Sequence, residues 1–155
     1  MDREHAEFSV QGYLDRLVTV RGLLDLDAIE RGIEMVRQAW MKGRKIIVSG
    51  NGGSALTASH YITDWNKCVY MSSDRPFRGV CLNDNMGLLT AYANDVSYED
   101  AFVKQLENQL DPEDLVIIVT GSGNSPNVVK VLEYAVAHGA STLAVCGYDG
   151  GKVKT

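Results

Sequence analysis

Two segments of the chain, KIIVSGNGGSALTASHYI (residues 45–62) and LVIIVTGSGNSPNVVKVL (residues 115–132), follow one plan. In each, a short apolar, β-branched run breaks at a turn rich in Gly, Ser and Asn and then opens a helix. That order is expected of a buried parallel strand that delivers the chain to a helix N-terminus. The first N–H groups of a helix have no intrahelical partner, and the helix dipole adds partial positive charge there. A phosphate is the natural ligand of such a turn. Two such turns point to a site for a phosphorylated small molecule. Their likeness is one of turn mechanics and not a formal repeat.

The rest of the sequence alternates in the same way. Strands are predicted over 45–48, 77–82, 115–120 and 142–146, and helices over 54–67, 85–93, 98–110 and 126–138. Ser54 and Ser125 read as caps of their helices, Pro126 suits a first helical turn, and Gly139 suits the position past a helix end. Two helices come first. One, over 9–20, places Val10, Tyr13, Leu14, Leu17 and Val18 at helical spacing. The other starts at Asp25 or Asp27, runs through Ile29, Ile33, Val36 and Trp40, and stops near Gly43. The expected fold is α/β: a three-layer sandwich with a parallel sheet flanked by helices, preceded by two N-terminal helices. Ligands of such sheets lie beyond the carboxyl ends of the strands, where both Gly-rich turns and LNDN (residues 82–85) gather.

A length of 155 residues fits one domain with a real core. The net charge of -5 argues against non-specific nucleic-acid binding. No apolar stretch has membrane-spanning length, and the opening MDREHAEF lacks the regions of a secretory signal, so the expected setting is cytoplasmic, with no membrane partner. Cys68, Cys81 and Cys146 are an odd number without metal-finger spacing and read as reduced thiols. Cys81 and Cys146 fall in strands, as small buried hydrophobes. Nothing in the closing CGYDGGKVKT reads as a finishing helix.

GNGGS (residues 50–54) contains G-x-G-x-x-A, the start of a dinucleotide fingerprint, which also needs an acid about 20 residues on, at the end of the next strand. Asp84 ends that strand but lies further away, and no G-K-[ST] is present. TGSGNS (residues 120–125) offers the hydroxyls of Thr120, Ser122 and Ser125 around glycines that let N–H groups converge, an arrangement that binds phosphate without a lysine. A Ser-capped helix after a flexible turn accounts for Ser125 alone. His60 and Asp64 stand four apart on the helix behind GNGGS, so they share a face. Such a pair serves proton transfer, supplies two ligands to a zinc, or forms a plain surface hydrogen bond. Asn94 and Asp95 follow an apolar helix, where they cap the next segment or reach a substrate hydroxyl. His5 and His138 read as surface residues.

Taken in order, GNGGS, the His–acid pair, AND (residues 93–95) and SGNS (residues 122–125) with a helix behind it resemble the SIS (sugar isomerase) domain, and most closely the phosphoheptose isomerases. The resemblance implies a SIS, flavodoxin-like fold and an aldose–ketose isomerisation through an enediol. The substrate pair it implies is sedoheptulose 7-phosphate and D-glycero-D-manno-heptose 7-phosphate, used for the heptose of bacterial lipopolysaccharide. It implies substrate contacts from Asn51, Gly52, Gly53, Ser54, Asn94 and Asp95, and a phosphate held by Thr120, Gly121, Ser122 and Ser125. His60 falls at a zinc ligand, and Asp64 where the family places a zinc-binding catalytic Glu. One zinc per subunit and a homotetramer with shared sites are implied as well, the apolar N-terminal helices being the packing surface. Three departures stand beside the match: Asp64 in place of Glu; DWNKCVY (residues 64–70) in place of a Gly-Arg, with Lys67 as the substitute charge; and an ending without the family's further strand and its long helix bearing Gln and His. Residues 1–155 are therefore expected to be a single SIS domain lacking those last elements. The alternative is a non-catalytic SIS module that binds a sugar phosphate or a protein, as the DnaA initiator-associating protein does.

Overall fold

A computed structural model describes residues 9–154; His5 lies outside them. The chain divides into two compact units, residues 1–33 and 34–155. In the first, α1 (Val10–Arg21) is capped by the Ser9 side chain, which accepts from the Gly12 N–H. None of its residues is buried, and Val10, Tyr13, Leu14, Leu17 and Val18 are exposed. The next helix, α2 (Leu26–Met41), begins in this unit, with the Asp25 carboxylate accepting from the Ala28 N–H at 2.9 Å. The two helices expected from apolar spacing and acidic caps are thus present.

The second unit is built on four strands, β1 (Ile46–Gly50), β2 (Gly79–Cys81), β3 (Leu115–Thr120) and β4 (Ser141–Cys146), all parallel in the order β2-β1-β3-β4. Every residue of β1 and β3 is buried, as their β-branched runs require when both sheet faces are covered. Side chains alternate between two cores. Ile46, Val48, Leu115 and Ile117 pack with Ala39, Ala58, Ile62 and Phe77. On the opposite face Ile47, Val116 and Ile118 pack with Leu82, Phe102, Leu106, Val128 and Val131. This is the expected three-layer sandwich. Burying those branched side chains, at about 1.5–3 kcal/mol each, is what fixes the central strands.

The helices of the second unit are α3 (Gly53–Asp64), α4 (Tyr70–Ser73), α5 (Met86–Asp95), α6 (Val103–Leu106) and α7 (Pro126–Ala137). Several depart from the sequence reading. Ser54 does not cap α3: Gly52 holds that place, and the Ser54 N–H already bonds the Asn51 carbonyl at 2.9 Å. The helix expected to run to residue 67 instead loosens into a π-helical turn (Trp65–Val69) before α4. The helix expected over 98–110 shrinks to α6. Ser97 and Asp100 bond each other's side chains and backbone in a local turn that competes with helix. Ser125 does occupy the cap position of α7, but its side chain makes no cap bond. Cys81 is buried as expected, whereas Cys146 is exposed because it ends an edge strand. The closing residues form a 3₁₀ turn (Gly151–Lys154) where none was expected.

Candidate functional site

Parallel pairing sets Gly50 beside Val119, so the turns after β1 and β3 leave the sheet side by side. Polar side chains extend the sheet beyond its last backbone bonds. The Gly50 N–H donates to Asn83 Oδ1 at 3.2 Å, and Asn83 Nδ2 donates back to the Gly50 carbonyl at 3.0 Å. Asn83 is thus a side-chain rung between the loop after β2 and the end of β1. Beneath it Cys81 is buried, and burial pushes its thiol up to about 11.

Gly52 takes φ 54°, a conformation that L side chains resist, and so swings the chain from β1 into α3. Asn51 is tied down from two sides. Its Nδ2 donates to Asn127 Oδ1 at 2.9 Å, Asn127 Nδ2 donates back to Asn51 Oδ1 at 2.9 Å, and the Tyr98 hydroxyl donates to the same oxygen at 2.9 Å. Asn127 is the second residue of α7, so the two Gly-rich turns are joined directly.

The second turn is braced from within and behind. Thr120 is buried, and its hydroxyl oxygen accepts from the Gly123 N–H at 3.2 Å. Asn124 donates from Nδ2 to the Ser122 carbonyl at 2.9 Å and accepts from the Lys152 N–H at 3.1 Å. The Val153 N–H reaches the Gly123 carbonyl at 3.2 Å. Gly121 and Ser122 stay exposed and Ser125 half-buried, with its hydroxyl unused in capping. A phosphate at the start of α7 would meet that helix N-terminus and these hydroxyls.

His60 and Asp64 share a face of α3, with Nε2 and Oδ2 3.3 Å apart and the side chains 74% and 54% exposed. Asn94 donates to Asp95 at 2.7 Å, so these two pair with each other at the exposed end of α5. Lys67 is exposed on the π-helical turn. The zinc expectation meets a short donor set. A catalytic zinc takes three protein ligands. Among the described residues no group of three or more His, Cys, Asp or Glu is placed to hold a metal, so His60 and Asp64 alone do not fit one.

The sequence reading missed Asn83, Tyr98 and Asn127. Asn127 did carry a signal: it lies on the buried stripe of α7 with Val128, Val131 and Ala135, where a polar side chain needs a polar partner.

Residues 13–147 match the family model of the SIS domain. The chain belongs to the SIS domain family. It is 34% identical over 142 residues to the probable phosphoheptose isomerase of Thermoplasma acidophilum, a match covering 92% of this chain and 78% of that protein. It is 32% identical over 152 residues to the phosphoheptose isomerase of Geobacter sp. strain M21, covering 98% and 78%. Among solved structures, a phosphoheptose isomerase from Francisella tularensis superposes with a TM-score of 0.84 at 21% identity, over 99% of this chain and 79% of that one. One from Neisseria gonorrhoeae gives 0.72 at 26% identity, over 94% and 79%. The SIS domain assigned from motif order thus holds in both family and fold.

Proposed function

We propose that this SIS domain protein is an aldose–ketose isomerase interconverting sedoheptulose 7-phosphate and D-glycero-D-manno-heptose 7-phosphate. The observation that carries the reading is the direct join of the two Gly-rich turns, through Asn51 and Asn127, at the carboxyl ends of the two central strands. Its relatives named as phosphoheptose isomerases supply the substrate class.

In this mechanism the second turn holds the phosphate through Gly121 and the hydroxyls of Ser122 and Ser125, with Thr120 bracing the loop. Asn51, Gly52, Gly53 and Ser54 face the sugar from the first turn, and Asn94 and Asp95 meet its hydroxyls. The Asp64 carboxylate takes the proton from C1 of the ketose. The enediol forms as a proton passes to O2, and Asp64 returns its proton to C2 while O1 gives one up, leaving the aldehyde. His60, beside Asp64, orients that carboxylate. Zinc bound at His60 and Asp64 would require a further donor from outside the described residues or from a second copy, and no step is assigned to it.

The exposed apolar stripe of α1 supports assembly as a homo-oligomer, a tetramer in this reading. The unpaired cysteines support a reducing, cytoplasmic setting. Among the described residues no helix is long and apolar enough to cross a membrane. A second reading, a non-catalytic module that binds a sugar phosphate or a protein, is favoured by one observation: the exposure of His60 and Asp64, where a proton-transfer site is normally closed to water.

The deciding experiment follows sedoheptulose 7-phosphate by NMR with the purified protein, with and without zinc. Conversion to the aldoheptose phosphate supports the isomerase. Saturable binding without conversion in either condition overturns it in favour of the second reading.

A further inference from the structure

The Asn51–Asn127–Tyr98 cluster does more than join two loops, because a carboxamide has a fixed stock of donors and acceptors. An asparagine oxygen accepts twice and its nitrogen donates twice. Both acceptor positions of Asn51 are taken, by Asn127 Nδ2 and by the Tyr98 hydroxyl, each at 2.9 Å. One Nδ2 hydrogen goes to Asn127 Oδ1 at 2.9 Å. What remains is a single N–H.

We infer that Asn127 and Tyr98 are positioning residues that fix Asn51 as a one-donor group, so that it meets the ligand only by giving a hydrogen bond to an oxygen. The inference rests on the sugar-phosphate reading for the identity of that ligand. The two supports are placed differently, which suits the role. Asn127 is 3% exposed and locked in the buried face of α7, so it sets where the carboxamide sits. Tyr98 arrives from the turn after α5, its ring tilted against the buried Phe102 with centroids 6.3 Å apart, and takes the acceptor position that a ligand hydroxyl would otherwise use. A group limited to donation favours an oxygen that is negative or becoming so, such as a phosphate or enediolate oxygen, over a hydroxyl that needs an acceptor.

The test uses the full chain as wild type, Tyr98→Phe and Asn127→Ser, labelled with ¹⁵N, the Asn51 side-chain signals being those lost in Asn51→Ser. In the wild type one Asn51 Nδ2 proton exchanges slowly and the other fast. In Asn127→Ser both exchange fast, and in Tyr98→Phe the Asn51 signals shift. With sedoheptulose 7-phosphate, kcat/KM falls about 10-fold in Tyr98→Phe and about 100-fold in Asn127→Ser, as for misplaced groups generally. A structural role alone would lower the thermal midpoint without changing the exchange pattern. Two fast protons in the wild type, or both variants folded and within about twofold of wild-type kcat/KM, would overturn the proposal. Tyr98 is half-exposed, so its loss of one hydroxyl keeps the fold and carries the test by itself if Asn127→Ser does not fold. A wild type that neither binds nor converts the sugar refutes the substrate reading, and the exchange pattern then decides this proposal separately.

Discussion

His60 Nε2 lies 3.3 Å from Asp64 Oδ2, one helical turn apart on α3. Both side chains face outward, and the helix that carries them starts at the first Gly-rich turn. In the proposed mechanism Asp64 is the base, and its place on a regular helix rather than on a loop fixes its reach, one methylene shorter than that of a Glu. Asp64→Asn keeps the shape and removes the proton acceptor. The expected result is loss of turnover by at least about 100-fold with phosphate-ligand binding retained. NMR turnover beside a calorimetric titration checks it, and a variant that still turns over at the wild-type rate removes Asp64 from the proton-transfer role.

Gly123 is held at φ 67°, and a Cβ built there would run into the Gly150 carbonyl oxygen. The second Gly-rich turn therefore depends on close backbone approach from the closing segment, which also bonds it through Val153 and Lys152. Gly123→Ala combines a strained φ with a backbone clash and is expected to cost about 2–4 kcal/mol. Thermal or urea unfolding reads that loss. An unchanged midpoint would mean that the closing segment is free to move off the turn.

Much of this architecture was legible because periodicity and turn chemistry agreed. The runs at 115–119 and 46–48 are apolar on both faces, as a doubly covered parallel strand requires, and Pro126 and Gly139 bracket α7 almost to the residue. What escaped was decided by side-chain bonds that spacing does not encode. The 98–110 segment has helical apolar spacing, yet the Ser97–Asp100 turn breaks it and leaves Tyr98 free to reach Asn51. Asn83 lay within the noted LNDN stretch, but its pairing with Gly50 spans 33 positions and appears only once β1 and β2 are adjacent. The His–acid pair was visible from its i, i+4 spacing, whereas its exposure was not.

Cys81 and Cys68 differ in burial, and this gives a chemical readout of the loop base. Cys81 is buried, with its thiol raised to about 11, while Cys68 is exposed on the π-helical turn. The thiolate is the reactive form, so at pH 8 Cys81 is shielded twice over. Iodoacetamide followed by mass spectrometry is expected to label Cys68 and Cys146 in the native protein and Cys81 only after unfolding. Rapid native labelling of Cys81 would show that the sheet opens at β2.

Asp100 connects the Tyr98 turn to α7, accepting from Lys130 Nζ at 2.8 Å and from the Ser97 hydroxyl at 2.7 Å. The Lys130 hydrogen bond, followed by that from Ser97, holds its carboxyl below the ordinary carboxylate value. A carboxyl whose folded value is depressed stabilises the fold above its unfolded value, near 4, and loses that contribution as pH falls through the lower folded value. The site is open to solvent, so the effect is modest and screened by salt. Asp100→Asn is therefore expected to lower the thermal midpoint at pH 7, with the gap to wild type closing as the pH drops below about 4. Because Asp100 anchors the turn that carries Tyr98, the same variant should also disturb the Asn51 side-chain signals at pH 7. A midpoint gap that does not change with pH would mean the Asp100–Lys130 bond contributes nothing through its charge.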